Sequence, residues 1–267
     1  AWKTMVTGRP GPVVLDVPFD IFKEAAAEET PNPKEWSANI SCRCGADPEG
    51  VEKAVDMLLA AEKPVIVVGQ GVRYGGAAEE LKALAERLQI PVASSASGLG
   101  ALPVEHPLSL GLVQRGGTYQ ANHSCRQADV LLALGVRFDD RTASSWIPGY
   151  SFTIPPTKLI HVDIDPEEIG RNYPVALGLM ADVRTFLRQI LAELDRRGHS
   201  GGPTPVSRKW LAEIDTYRAK WDEFTAPGYK DDSSPINPQR AAVEIDKALP
   251  EDAILVSDIG VHHNWLL

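Results

Sequence analysis

Cysteine is scarce in this chain. Its 267 residues include only three cysteines, Cys42, Cys44 and Cys125. Such a small, odd number excludes the disulfide framework of a small secreted domain and predicts a protein of the reducing cytoplasm. Cys42 and Cys44 are one residue apart and no second pair follows, so a zinc knuckle is not expected. We interpret Cys42 and Cys44 as loop cysteines.

Excess positive charge and long apolar runs are also lacking. The formal net charge is −9, from 27 basic and 36 acidic residues. A chain of this charge has no general affinity for nucleic acid or for an anionic membrane surface, although a local basic site stays open. No run approaches the roughly 18 consecutive apolar residues that span a bilayer. We therefore expect neither nucleic acid nor a membrane as a partner.

What the chain does contain is a regular alternation of apolar strands and amphipathic helices. The predicted strands are apolar throughout, which is typical of a parallel sheet covered by helices on both faces. We therefore predict an α/β fold with a doubly wound, Rossmann-like parallel sheet of about six strands, within residues 40–198. The predicted strands are KPVIVVGQG, IPVASS, HPLSLGLV, DVLLALGV, KLIHVDI and VALGLMAD.

The predicted helices fall between and after these strands. Within the sheet region they are GGAAEELKALAERLQ, TYQANHSCRQA, a short helix starting at DPEEIGR, and VRTFLRQILAELDRR. A Gly/Pro/Ser linker follows, and then the helix KWLAEIDTYRAKWDEF, the polar loop APGYKDDSSPINP and the helix PQRAAVEIDKAL.

Each end of the chain carries one predicted strand without a partner, PVVLDV near the start and AILVSD near the end. A lone strand satisfies neither its edges nor its faces. We therefore expect a piece of a longer protein. Residues 1–24 form the tail of one domain, 25–39 a linker, 199–235 a linker and helix, and 236–267 the truncated start of another domain.

Glycines and polar residues follow the strands at their carboxyl ends, which is where an open parallel sheet binds ligands. Backbone amides and arginines suit a diphosphate, and carboxylates suit sugar hydroxyls. The pattern therefore predicts a nucleotide site. The residues at these strand ends are Gly69, Gln70, Gly71, Val72, Arg73, Ala96, Ser97, Gly98, Arg137, Asp139, Arg141, Asp163, Ile164, Asp165 and Asp182.

A purely structural interpretation stays open for the same residues. Gly69 and Gly71 do not complete a GxGxxG fingerprint and also fit simple strand termination. The charges of residues 137–141 also fit surface salt bridges, which contribute about 0–1 kcal/mol. Asp165 also fits a helix start, and His161, inside a strand, fits a packed side chain.

Seven stretches, taken together and in order, resemble one family. They are GRPGPVVLDVP, KPVIVVGQG, GLGALPVEHPLSLG, GTYQAN, ADVLLALGVRFDDR, IHVDIDPEEIG and SDIGVHHNW. The set resembles the large catalytic subunit of acetohydroxyacid (acetolactate) synthase and related thiamine-diphosphate enzymes. The resemblance implies the tail of a pyrimidine-binding domain, a whole central domain, and the start of a diphosphate-binding domain.

The resemblance also implies cofactors. FAD, largely structural in these synthases, lies along the central domain, and thiamine diphosphate with Mg²⁺ completes the set. By motif, Gly260, Val261 and His262 are the candidates for thiamine diphosphate. The FAD candidates are Arg9, Gly69, Gln70, Gly71, Ser95, Ala96, Ser97, Arg137, Asp139, Arg141, Asp163, Ile164 and Asp182.

Some functional residues of the family fall outside the sequence. The activating glutamate belongs before residue 1 and the GDG magnesium motif after residue 267, so we expect no catalytic residue, no metal ligand and no activity in this piece alone. Three stretches depart from the family, and one of them is TASSW, residues 142–146 after GVRFDDR, which is unlike a typical biosynthetic synthase. Gln114-Arg115-Gly116-Gly117 stands where the synthases usually have Met-His-Gly, and Val261 stands where they have glutamine.

The implied activity of the parent is decarboxylation of a 2-keto acid and ligation to a second carbonyl. A homodimer or homotetramer and a regulatory subunit are the implied partners. Two alternatives stay open. One is a hydrolase or lyase that cleaves a C–C bond of a cyclic dione or another keto substrate, and the other is a non-catalytic module for nucleotide binding or oligomerisation.

Overall fold

The structure, a computed structural model, describes residues 1–25, 32, 43–258 and 260–266. The predicted fold class is confirmed: a six-stranded, all-parallel sheet lies between helices. The strands are β1 (Pro64–Val68), β2 (Val92–Ser94), β3 (Ser109–Leu112), β4 (Val130–Leu134), β5 (Lys158–Asp163) and β6 (Leu177–Met180).

The described helices before residue 128 are α1 (Trp2–Val6), α2 (Pro48–Ala60), α3 (Gln70–Gly75), α4 (Ala78–Leu88) and α5 (Tyr119–Gln127). Those that follow are α6 (Val183–Arg196), α7 (Pro205–Tyr229), α8 (Pro238–Ala248) and α9 (His263–Leu266). Short 3₁₀ turns occupy Ile21–Lys23, Ala96–Gly98 and Ser144–Trp146. None of the helices in the described ranges combines the length and apolarity that crossing a membrane requires.

The sheet order is β3-β2-β1-β4-β5-β6, so the winding reverses between β1 and β4. The central pair β1 and β4 is in register over five positions, from Pro64 opposite Val130 to Val68 opposite Leu134. In an open α/β sheet, the crevice at the carboxyl ends beside such a reversal is the usual ligand site. The strand order therefore places the expected ligand site at the carboxyl ends of β1 and β4.

The apolar character of the strands follows from burial on both faces. In β1, Ile66 and Val68 pack with α2, α4 and α6, whereas Val65 and Val67 pack with α5 and α7. Because successive strand residues point to opposite faces, both sets must be apolar. Trp210 joins the second cluster from α7, and its indole N–H donates to the Pro64 carbonyl at 3.1 Å.

Side-chain caps mark where the main helices begin. Asp47 accepts from the Glu49 amide ahead of α2, and Asp182 accepts from the Thr185 amide ahead of α6. Thr204 and Ser207 form a reciprocal capping box at the start of α7, followed by Pro205 at the first helical position. These residues satisfy amides that a helix start leaves without intrahelical partners.

Three sequence-based predictions of secondary structure are wrong. The stretch 165–171 forms turns rather than a helix, because the Asp163 and Asp165 side chains accept amide hydrogens two residues ahead and hold the chain in tight turns. Helix α7 begins at Pro205, inside the predicted linker, and runs through Pro227 to Tyr229, inside the predicted polar loop.

The third error concerns the two terminal strands. Residues 12–17 and 253–258 are not in strands, and Val14 and Ile254 are 88% and 89% exposed. Without neighbouring strands to pair with, the described residues there form no ladder. The proposed linker 25–39 lies outside the described residues apart from positions 25 and 32, and so does Cys42. The proposed domain boundaries stay predictions.

Candidate functional site

A pocket of about 390 Å³ opens at the carboxyl edge of the sheet, beside the reversal between β1 and β4. Small-molecule sites in proteins are typically about 300–1,000 Å³. We call it the rim pocket. Its lining residues are Val6, Gly8, Arg9, Pro10, Arg43, Gln70, Gly71, Tyr74, Gly75, Gly135, Arg137, Asp163, Ile164, Asp182 and Val183.

The rim pocket brings together residues that are up to about 170 positions apart in the chain, as expected where parallel strands end at one edge. Most of the predicted residues among them lie at the ends of β1, β4, β5 and β6, and Arg9 comes from the N-terminal segment. Their role in binding a cofactor stays a prediction. The predicted residues that line the rim pocket are Arg9, Gln70, Gly71, Arg137, Asp163, Ile164 and Asp182.

Glycines let the loops after β1 and β4 touch at the floor of the rim pocket. The Gly71 amide donates to the Gly135 carbonyl at 3.2 Å, and a Cβ on Gly71 would lie 2.7 Å from the Gly135 Cα. A Cβ on Gly69 would collide with the Gly135 carbonyl and lie 2.7 Å from the Val136 Cα. Gly69 itself does not line the pocket. These glycines are therefore required for packing, whatever the ligand.

Two arginine side chains in the rim pocket lack a protein partner. Among the described arginines, only Arg43, Arg73 and Arg137 make no side-chain hydrogen bond or ion pair with a described residue, and Arg43 and Arg137 both line the pocket. Arg9, in contrast, donates to Glu168 at 2.9 Å. Two free guanidinium groups in one crevice repel each other and favour an anion between them.

Two carboxylates complete the polar wall. Asp163, 6% exposed at the end of β5, accepts from the Asp165 amide at 2.9 Å. Burial is the main cause that raises the pKa of Asp163 above its ordinary value, although that hydrogen bond acts in the opposite direction. Asp182 caps α6 through one oxygen, which also accepts from the Thr185 hydroxyl at 2.9 Å. The other Asp182 oxygen faces Gly75 in the pocket wall.

An aromatic ring and an amide stand beside the charges. The Tyr74 side chain is 70% exposed at the pocket wall, and its hydroxyl accepts from the Gln70 side-chain amide at 3.0 Å. An exposed aromatic face of this kind suits the flat ring system of a nucleotide. The rim pocket thus combines cations, hydroxyl acceptors and one aromatic surface.

Other predicted site residues lie outside the rim pocket, in or beside what we call the paired loops, residues 114–117 and 139–151. Asp139 accepts from the Thr142 amide at 2.9 Å, and the Arg141 guanidinium donates to the Asn264 side chain. Ser95, Ala96 and Ser97 form a 3₁₀ turn after β2 and also do not line the pocket. The structure does not bring these five residues to the pocket, and their role stays a prediction.

The departure from the family at residues 114–117 lies in the paired loops. Arg115 donates to Ser145 at 3.2 Å and approaches Asp140 at 3.4 Å, and its amide donates to the Arg141 carbonyl at 3.3 Å. Gln114 is buried with its side-chain oxygen unpaired. The Arg115 side chain is therefore bound within the paired loops, and neither Gln114 nor Arg115 lines the rim pocket.

Gly260, Val261 and His262 lie at the far end of the described chain. Val261 is 75% exposed, and the His262 ring hydrogen-bonds the Asp258 carbonyl at 3.0 Å. Within the described ranges, no three His, Cys, Asp or Glu side chains are placed to hold a metal ion. These residues alone therefore do not build a site for thiamine diphosphate or Mg²⁺, and no chemical step through either is derived.

Sequence reasoning missed Arg43 and Tyr74. Arg43 follows no strand; it reaches the pocket because the Cys44 carbonyl accepts from the Asp182 amide at 2.9 Å. Nothing in the local sequence signals that contact. Tyr74 was findable, since it lies one turn beyond Gln70 on the helix that follows β1.

Comparison with known proteins identifies the class. A family model described as the central domain of thiamine pyrophosphate enzymes matches residues 51–190, more than half of the chain. The matched range contains all six strands of the sheet. The chain belongs to this family.

Several curated relatives are acetolactate synthase large subunits. A probable acetolactate synthase large subunit of Methanocaldococcus jannaschii is 35% identical over 100% of this chain and 44% of its own length. The large subunit of acetolactate synthase isozyme 3 of Escherichia coli is 35% identical over 96% of the chain and 43% of its own length. The chloroplastic acetolactate synthase 1 of Zea mays is also 35% identical, over 97% and 39%. The chain spans less than half the length of these relatives.

Proposed function

We propose that the rim pocket binds the diphosphate-linked part of FAD, in a thiamine-diphosphate-dependent carboligase similar to acetolactate synthase. The observation that carries the proposal is the pair Arg43 and Arg137. Both are guanidinium groups without a partner among the described residues, and both line one crevice at the switch point of the sheet.

Charge supports an anionic ligand over a neutral one. The chain has a net charge of −9, and most of its described arginines are neutralised by neighbouring carboxylates. Two arginine side chains that line one pocket without a partner among the described residues are unfavourable unless a ligand supplies negative charge. A diphosphate offers oxygens for both forks, because guanidinium groups bind phosphate in a bidentate manner.

The other groups of the rim pocket fit the rest of a dinucleotide. Asp163 offers a buried acceptor for a sugar hydroxyl, the Gly71 segment lets a ligand approach the backbone closely, and Tyr74 offers a ring face. When bound, FAD would supply a flat, tightly held group that joins the surrounding loops. We propose that its role is structural, as the family resemblance implies.

The activity of the whole protein is inferred from its relatives. We propose decarboxylation of a 2-keto acid followed by ligation to a second carbonyl, with thiamine diphosphate and Mg²⁺ held together with segments outside this chain. Gly260, Val261 and His262 would contribute to that site once those segments are present. We also propose a homodimer or homotetramer, and a regulatory partner because the relatives are named large subunits.

A cytoplasmic location is proposed on the state of the cysteines. Cys44 and Cys125 are both free thiols in the described structure, and free thiols are typical of a reducing compartment. Burial raises the pKa of the Cys125 thiol well above its ordinary value, so it packs as an uncharged side chain.

A ligand titration of the full-length protein tests the nucleotide proposal. FAD and ADP should both bind, because both contain an adenine nucleotide with a diphosphate, whereas FMN should bind more weakly. The Arg43→Ala variant should weaken FAD and ADP alike. Equal binding of all three nucleotides, or of none, would contradict the proposal.

An activity assay tests the catalytic proposal separately. The full-length protein, with thiamine diphosphate and Mg²⁺, should convert a 2-keto acid to the ligated hydroxy-keto acid with release of carbon dioxide. An active protein whose visible spectrum shows no flavin after purification would favour a central domain used for subunit contacts only.

A second candidate function is cleavage of a C–C bond in a cyclic dione. The observation that favours it is Gln114-Arg115-Gly116-Gly117, which departs from the synthase pattern and whose Arg115 engages Ser145 and Asp140. Ring opening of a cyclic dione, without any ligation of 2-keto acids, would select this candidate.

A further inference from the structure

We propose that Glu168 is a positioning residue that fixes Arg9, and with it the N-terminal wall of the rim pocket. The proposal rests on the proposed function for its ligand but stands on contacts of its own. Glu168 is not one of the residues that line the pocket, and it is not among the binding residues predicted from the sequence.

The contact itself is an ion pair between a buried and a half-exposed group. Arg9 Nη1 donates to Glu168 Oε1 at 2.9 Å and lies 3.5 Å from Asp165 Oδ2. The Glu168 side chain is only 4% exposed, compared with 44% for Arg9. Its other contact with a cation is Arg171, 63% exposed, at 3.4 Å.

Because the Glu168 carboxylate is buried, it depends strongly on its ion-pair partner. A buried charge is costly unless it is paired and hydrogen-bonded, and removing one partner of such a pair leaves an uncompensated charge. Of the two cations near Glu168, Arg9 has the shorter contact. The contact with Arg9 is therefore the main ion pair of the buried Glu168 carboxylate among the described residues.

The segment that Arg9 belongs to has little else to hold it. No residue of 1–25 is buried, and α1 has no buried side chain. Among the described residues, the hydrogen bonds and ion pairs that join 1–25 to the rest of the chain are those from Arg9 to Glu168 and Asp165. The backbone hydrogen bonds described within 1–25 are local.

That segment nevertheless supplies one wall of the rim pocket. Val6, Gly8, Arg9 and Pro10 line it, opposite the strand ends. A guanidinium group has five N–H donors, so Arg9 can bind Glu168 through Nη1 and still present donors to a ligand. Glu168 thus fixes the N-terminal segment at the rim pocket. It also orients Arg9 as a third cation in the pocket that Arg43 and Arg137 line.

Two substitutions of equal chemistry test the assignment in the full-length protein. Glu168→Gln removes the buried charge with almost no change of shape. Glu167→Gln makes the same change at the neighbouring position, which is exposed and has no ion pair described. Hydrogen–deuterium exchange of residues 5–11 and the Kd for FAD are measured for both variants and for the native protein.

The expected result separates positioning from general stability. Glu168→Gln should speed exchange in residues 5–11 and raise the Kd for FAD by about tenfold, the effect of weakening one charged hydrogen bond. Glu167→Gln should change neither. In an Arg9→Gln background, Glu168→Gln should add no further loss of affinity, because its effect passes through Arg9.

Three outcomes would overturn the proposal: unchanged exchange together with unchanged affinity in Glu168→Gln, equal effects of the two variants, or losses that add independently in the Arg9→Gln background. If the native protein binds no FAD, the proposed function fails and the exchange data alone decide the role of Glu168. Faster exchange at residues 5–11 in Glu168→Gln but not Glu167→Gln would then support it, and unchanged exchange would refute it.

Discussion

The carboxyl edge of the sheet uses similar residues in two different ways on its two sides. On the side of the rim pocket, the Arg137 side chain has no partner among the described residues. In the paired loops, only four positions later, Arg141 bonds Asn264, and Arg115 bonds Ser145. A charged residue just after a strand is therefore weak support for a ligand site until its partners are known.

A buried ring lies at the boundary between the two sides. Phe138, between Arg137 and Asp139, is 1% exposed and packs edge-on against Phe152, His161 and Tyr173. Its φ of +51° places it in the left-handed region, which is uncommon for a bulky residue. Arg137, before Phe138, lines the rim pocket, whereas Asp139, after it, accepts from the Thr142 amide.

The largest effect is expected where the loops after β1 and β4 touch, at Gly69 and Gly135. Gly69→Ala would drive a methyl group into the Gly135 carbonyl, which belongs to the loop that carries Arg137. We expect a loss of about 3 kcal/mol in the free energy of unfolding, at the upper end for overpacking against backbone. Denaturant unfolding measures it.

Gly11→Ala is the matched control for that change. No atom lies within 4 Å of the added Cβ at Gly11, and the φ of Gly11 is not in the left-handed region. A small effect at Gly11 with a large one at Gly69 would confirm the close approach. Similar stabilities of the two variants would mean that the loops after β1 and β4 are not packed as described.

The next largest effect concerns ligand affinity. Arg137→Ala should weaken FAD binding by about 1.5–3 kcal/mol, the loss of hydrogen bonds to a charged group, which is roughly tenfold to a hundredfold in Kd. Arg73→Ala is the control, because Arg73 is the other described arginine besides Arg43 that has no partner, and it lies outside the pocket. Equal losses in both variants would indicate a general charge effect and not a site.

A substitution at Asp163 should increase the stability of the protein, whereas Gly69→Ala decreases it, and the change should be smaller. Asp163→Asn keeps an acceptor for the Asp165 amide but removes a buried charge. The variant should unfold at a higher temperature at neutral pH and yet bind FAD less tightly, as is common where a site is kept at the expense of stability.

The pH dependence of that gain follows from the raised pKa of Asp163 in the folded state. The folded protein binds this proton more tightly than the unfolded chain, so the ionised carboxylate lowers stability at pH values above the raised pKa. The cost disappears as the pH falls through the raised pKa and towards the ordinary one. The difference in melting temperature between Asp163→Asn and the native protein should therefore shrink on acidification; a constant difference would contradict the burial of this charge.

Much of the fold was predictable because it depends on local periodicity. Continuous apolar runs such as residues 130–134 must be buried on both faces, and all six strands were located from such runs. Prediction failed at α7, which runs on through Pro227, and at residues 165–171, where local hydrogen bonds to the Asp163 and Asp165 side chains form turns instead of a helix.

The candidate site was only partly predictable, for a related reason. Residues that follow β1, β4, β5 and β6 converge because the topology of a parallel sheet requires it. Arg43 is placed at the pocket by one backbone hydrogen bond between Cys44 and Asp182, and the Asp139 side chain accepts from the Thr142 amide and does not line the pocket. Neither event has a signature in the local sequence.

The smallest effect on FAD affinity should come from substitution of Arg141, although the sequence predicts Arg141 and Arg137 equally as binding residues. Its guanidinium donates to Asn264 and does not line the rim pocket. Arg141→Ala should therefore change FAD affinity by less than about 1 kcal/mol, the value of an exposed polar contact. It should instead increase hydrogen exchange in α9, since Asn264 loses its partner there. A loss of affinity as large as that of Arg137→Ala would show that the ligand extends from the rim pocket across to the paired loops, as the family resemblance implies for the whole flavin, and the two sides of the edge would then form one site.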